Sequence, residues 1–193
     1  MKSWIISACK TTDRMKFFSD IRLLILGLWL GAAVFFIAAA QNAFAVLEQQ
    51  RELAGAVVGR NLALLNYSGL AVAIVLILTS LLAAARINKF WLWVERFLLL
   101  VLGAACAVGQ FVLEFWLASL KAQMGRPIDE VAVDDPLRIQ FNTLHEYAVW
   151  VLFAGMIAGL LVFFIISNRK FREAPASAAK KDDIYDFSKE FKV

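Results

Sequence analysis

Four stretches of the chain are apolar far beyond the length of an ordinary helix, and most polar residues fall between them. They cover residues 23–44, 62–85, 97–120 and 141–167. A hydrocarbon core of ~30 Å needs ~20 helical residues, which each stretch supplies. None of them alternates with the period of two expected of a membrane β-strand. Backbone groups in lipid must find partners within their own segment, which leaves helix as the reading for all four. The pattern predicts an all-α, integral membrane four-helix bundle at residues 21–167, lying in the lipid bilayer. Residues 1–20 form a basic N-terminal segment. Residues 168–193 mix Lys, Asp, Ala and Ser around Pro175 and read as a disordered tail.

The connections refine this outline. The first begins with Glu48-Gln49-Gln50-Arg51-Glu52, and the helix-compatible residues 53–60 then extend the second span outward. The second connection is short and carries Trp91 and Trp93, which suit an interfacial aromatic belt. The third, residues 121–138, is acidic, with Asp129, Glu130, Asp134 and Asp135. Ala43-Phe44-Ala45 looks like a signal-peptidase site, but the run before it is long enough to span the bilayer, so an uncleaved anchor is expected.

Composition and charge agree with the pattern. Hydrophobic residues make up 61% of the chain, against ~45–50% for soluble domains. The net charge of +4 comes from loops and ends rather than from a nucleic-acid face, so no nucleic-acid partner is expected. Fifteen Lys and Arg residues lie on the side of the termini and the second connection, and five lie on the other side. The positive-inside rule then puts both termini in the cytoplasm, with the protein in a bacterial cytoplasmic membrane. Two cysteines, Cys9 and Cys106, are expected at different depths and make neither a disulfide framework nor a zinc site.

Small residues four apart let membrane helices approach closely. The spacing occurs at Gly27 and Gly31, at Gly55 and Gly59, and at Gly155 and Gly159. We read these as packing within one bundle, with a homo-oligomer or a membrane-protein partner as the alternative. Polar residues collect at the outer ends of the spans: Gln41 and Asn42, Asn66 and Tyr67, Gln110 and Glu114, and His145. Alternating helix direction brings them to a common depth. Ionisable groups inside a span are expected to face the bundle interior, where Glu114 could pair with His145. This layer either binds a small solute or ion, or satisfies itself and caps the bundle. The halves on the cytoplasmic side look plainer, with Glu95 and Arg96 at the interface. His145 is the single histidine and could supply an axial haem ligand. Otherwise no cofactor or metal is expected. No nucleophile elbow, phosphate loop or zinc motif is present, so no enzymatic activity is expected.

Three segments resemble a family named after transmembrane protein 205, whose bacterial members are described only as a domain of unknown function. Residues 28–36 resemble its first-helix signature. Residues 54–59, followed by Leu65-Asn66-Tyr67-Ser68-Gly69-Leu70, resemble its second-helix entry. Phe141-Asn142-Thr143-Leu144-His145 resembles its last-helix entry. The likeness covers residues 21–167 and implies a four-helix membrane fold with no settled reaction. The chain departs from the family pattern at Gln41-Asn42, where Ala-Pro is common, and at Ala148, where Ser is common. Any role that needs that Pro or Ser is in doubt.

Overall fold

The computed structural model of the protein describes residues 2–82 and 89–168, and the side chains of residues 17–81 and 89–168. The tail and the basic residue Arg86 lie outside the described residues. Four helices follow one another: α1 (Lys2–Val46), α2 (Arg51–Leu82), α3 (Lys89–Met124) and α4 (Pro136–Ser167). Among the described residues, these four are long and apolar enough to cross a membrane. The protein is an all-α membrane protein. Each helix packs on the next, and α4 closes against α1. The end of the bundle where α1 enters it, and where α2 and α4 finish, is called the near end. The far end holds the α1–α2 and α3–α4 connections.

One stripe of each helix makes the core. In α1 the buried positions are Ser19, Arg22, Leu26, Trp29 and Ala33 among the described residues. In α2 they include Leu65, Ala73, Leu76 and Ser80, and in α3 Glu95, Leu99, Leu102 and Cys106. Ala158, Val162 and Ile166 complete the core from α4. Steps of three and four keep each set on one helical face. Leu28, Phe35, Leu64, Leu100 and Trp150 are exposed on the outside of the bundle, where lipid is their solvent.

Lipid gives no hydrophobic drive for apolar helices to associate, so tight packing must supply the contact energy. The closest approach is at Gly69. A Cβ there would lie 2.6 Å from the Cys106 sulfur and 2.8 Å from the Trp29 ring. Glycine at this position lets α1, α2 and α3 meet. The Trp29 indole N–H then donates to the Leu65 carbonyl at 3.1 Å, joining α1 to α2. Gly155 faces Ala105, and Gly159 faces Leu30 and Trp29. Gly27 meets Phe163, and Gly59 lies in ordinary contact distance of Glu114. Gly31 and Gly55 have nothing within 4 Å. The three glycine pairs therefore do not act alike, and Gly31 and Gly55 meet no neighbour among the described residues.

The far-end features have local causes. Gly125 ends α3 with φ 63°, a left-handed conformation that favours glycine. Asp135 caps α4 through the Leu137 amide, and Pro136 occupies the first turn, where its missing N–H is not needed. A short 3-10 turn, Ile128–Glu130, lies between them. Midway along α3, residues Val108–Leu113 form a π-helical segment. The extra residue in such a turn shifts the register of everything beyond it. Beyond it, Trp116, Ser119 and Gln123 line a cleft between α3 and α4.

Candidate functional site

Polar side chains come together at the near end, not at the far end. Arg22 and Glu95 form an ion pair at 2.5 Å, with side chains 6% and 0% exposed. The same Arg22 nitrogen donates to the Leu76 carbonyl at 3.0 Å. Arg96 donates through Nε to Ser80 Oγ at 3.1 Å and through Nη2 to the Ser80 carbonyl at 3.0 Å. Ser19 is buried beside this group in sequence and height. The arrangement has a simple logic. Ser80 lies in the last described turn of α2, and Leu76 lies one turn before it. Two guanidinium groups meet that end, where the helix dipole is negative. Glu95 offsets the charge of Arg22, and α1, α2 and α3 are held together.

Sequence reasoning missed this cluster by counting Arg22 only among the basic residues on the side of the termini and by placing Glu95 and Arg96 at the interface. The signal was present in the spacing. Arg22, Leu26, Trp29 and Ala33 step by four, three and four, and so do Glu95, Leu99, Leu102 and Cys106. Arg22 and Glu95 each lie on a core stripe.

The expectation of a far-end layer facing the interior needs correction. Asn66 is buried and sits against Gly109, where a Cβ would come within 3.2 Å of its amide nitrogen. Gln110 and Glu114 are half-buried. Gln41, Asn42, Tyr67 and His145 are exposed. The reason for His145 is register. The inner row of α4 runs through Phe141, Leu144, Ala148 and Leu152 to Gly155, and His145 lies one position off it. The residue is not aimed at Glu114. It stacks on Phe141 with ring centroids 6.3 Å apart and planes 5° from parallel. Lys121 reaches over the other neighbour of this stack, 5.5 Å from the Phe141 centroid. Gln41 and Asn42 are off the inner row of α1 in the same way. Tyr67 instead meets Phe111 edge-on, with ring centroids 6.0 Å apart. Among the described residues, no three His, Cys, Asp or Glu side chains gather as a metal site. Cys106 is a free, buried cysteine, and the side chain of Cys9 lies outside the described residues.

A cleft of about 490 Å³ opens on the flank of the bundle between the far half of α3 and the start of α4. Trp116 and Tyr147 line its deep end, and Gln123, Ile139 and Gln140 its loop end. Ser119, Leu120, Thr143 and Leu144 lie between. Seven residues separate Trp116 from Gln123 and Gln140 from Tyr147, so the cleft follows the helices for about 10 Å. Its walls are carbon at the middle, with hydroxyl and amide groups spaced along them. The Gln123 amide donates to Ser119 Oγ at 3.3 Å, and the Thr143 hydroxyl donates to the Ile139 carbonyl at 3.0 Å. A second recess, of about 580 Å³, lies among charged loop residues, where Arg51 and Asp129 pair at 3.6 Å.

No curated protein and no solved structure matches the chain. One family model does match, over residues 24–126, which includes α2, most of the described core stripes and all of the π segment. The chain belongs to that family, described as a domain of unknown function, DUF4149.

Proposed function

We propose that the protein is a non-catalytic, multi-pass membrane protein that binds a small molecule at its far end, in the cleft between α3 and α4. The observation that carries this reading is the cleft itself. Its volume of about 490 Å³ falls within the ~300–1,000 Å³ typical of ligand sites. It combines apolar walls with a few polar groups, as such sites do. The π segment just before it supports the same reading, because π-bulges occur frequently at functional sites. The near-end cluster has a different character. Its groups are engaged with one another and with α2, so it serves as a clamp that fixes the bundle.

The far end faces outward in this proposal, with both termini in the cytoplasm. The bias of fifteen basic residues against five supports that orientation. A periplasm-dependent reporter enzyme fused after Val193 is expected to stay silent, and one fused in the 3-10 turn at Ile128–Glu130 to be active. The Phe141-to-His145 likeness to the transmembrane protein 205 type lies beyond the matched residues. It supports a wider relationship that includes α4.

The binding reading is tested by native mass spectrometry of protein extracted from its own membrane. The wild type is expected to carry a bound small molecule that Thr143→Trp, which fills the middle of the cleft, releases. Identical bound masses in both proteins, with identical unfolding profiles, would remove the cleft from the account. A second reading, a partner-binding subunit, draws on Gly31, which has nothing within 4 Å among the described residues, and on its exposed neighbour Ala32. Loss of a co-purifying membrane protein in Gly31→Leu, with the bundle intact, would favour it.

A further inference from the structure

The cleft between α3 and α4 has a feature that narrows its ligand. None of the nine residues lining it carries a charge at neutral pH. Lys121 lies between two lining positions in sequence, yet its ammonium group is turned onto Phe141 at 5.5 Å and is not part of the wall. The cleft is also graded along its length. Gln123 and Gln140 stand at the loop end, and aromatic side chains stand at the deep end. Trp116 and Tyr147 are each more than half exposed, so the flank is open to lipid rather than sealed.

We infer that the cleft takes a neutral, membrane-resident amphiphile, with an uncharged hydrogen-bonding head at Gln123 and Gln140 and its hydrocarbon part against Leu120, Leu144 and Trp116. The inference rests on the binding reading above and names its ligand class. Charge complementarity is the argument. A charged head placed among these groups meets no counter-charge in the lining, so a neutral head that hydrogen-bonds there is favoured over it. Two primary amides and two hydroxyls offer both donors and acceptors. They suit an alcohol, an ester or a carbonyl head. A fully polar solute would leave the leucine and tryptophan surfaces uncovered. The flank position gives a lipid direct entry from the bilayer, without passage through water.

The test uses the full chain in nanodiscs of phosphatidylcholine. The probes are a monoacylglycerol and a lysophosphatidylglycerol, both carrying the same dibrominated acyl chain, and the readout is quenching of tryptophan fluorescence. The monoacylglycerol is expected to quench saturably, and Trp116→Phe to remove the saturable part. The anionic probe is expected to bind more weakly, by about tenfold in Kd. Saturable quenching through Trp116 that is equal or stronger for the anionic probe would overturn the ligand class and leave the binding reading standing. Quenching that rises linearly for both probes and is indifferent to Thr143→Trp would overturn both.

Discussion

Replacing Glu95 with glutamine keeps the shape of the side chain and removes its charge. Glu95 is fully buried, and Arg22 is 5% exposed. The guanidinium would keep its bond to the Leu76 carbonyl and lose its counter-ion. Removing one partner of a buried pair costs ~3–5 kcal/mol, because the other charge is left uncompensated. The amide oxygen of glutamine still accepts from Arg22, so the lower end of that range, about 3 kcal/mol, is expected for Glu95→Gln. Arg22→Met should also destabilise the bundle, since it removes the ion pair with buried Glu95 and the bond to the Leu76 carbonyl. The double variant Arg22→Met with Glu95→Leu removes both charges and fills the space with carbon. It should be less destabilised than the sum of the singles by about 2 kcal/mol or more. The assay is reversible unfolding in mixed micelles at increasing dodecyl sulfate fraction. A loss below about 1 kcal/mol for Glu95→Gln, or strictly additive singles, would refute the clamp.

The packing claims give sharper contrasts. Gly69→Ala should destabilise the bundle by about 1–3 kcal/mol, because its methyl group meets Trp29 and Cys106 in the same unfolding assay. Gly31→Ala should be neutral or slightly stabilising, since nothing lies within 4 Å and alanine favours helix. Trp29→Phe should cost about 1 kcal/mol beyond its lost packing, from the missing bond to the Leu65 carbonyl. A double-mutant cycle against Gly69→Ala separates the two terms. Ser80→Ala should weaken the hold of Arg96 on α2 while leaving the Ser80 carbonyl contact, and amide exchange in the last turn of α2 reports it.

The helical bundle was legible because lipid demands long apolar segments, and length alone identifies them. Side-chain direction was harder to read. Depth counted from the helix ends is coarse: Asn66 lies against Gly109, whereas Glu114 lies nearest Gly59, seven residues from Asn66 along α2 and so about 10 Å away in height. Azimuth depends on which stripe faces the neighbours, and three glycine pairs and seven polar residues offered competing stripes. The core row of Arg22, Leu26, Trp29 and Ala33 settles the choice for α1, and Glu95, Leu99, Leu102 and Cys106 settle it for α3. A charge on an apolar row is easily taken for an interface residue. The π segment had no sequence signal that period counting could catch.

The most direct test of the central claim is an electron-density map of the protein crystallised with the lipids of its own membrane. The account predicts an elongated, non-protein density between Trp116 and Tyr147, with its polar end at Gln123 and Gln140. A cleft closed by its own side chains, or holding only water, would contradict it.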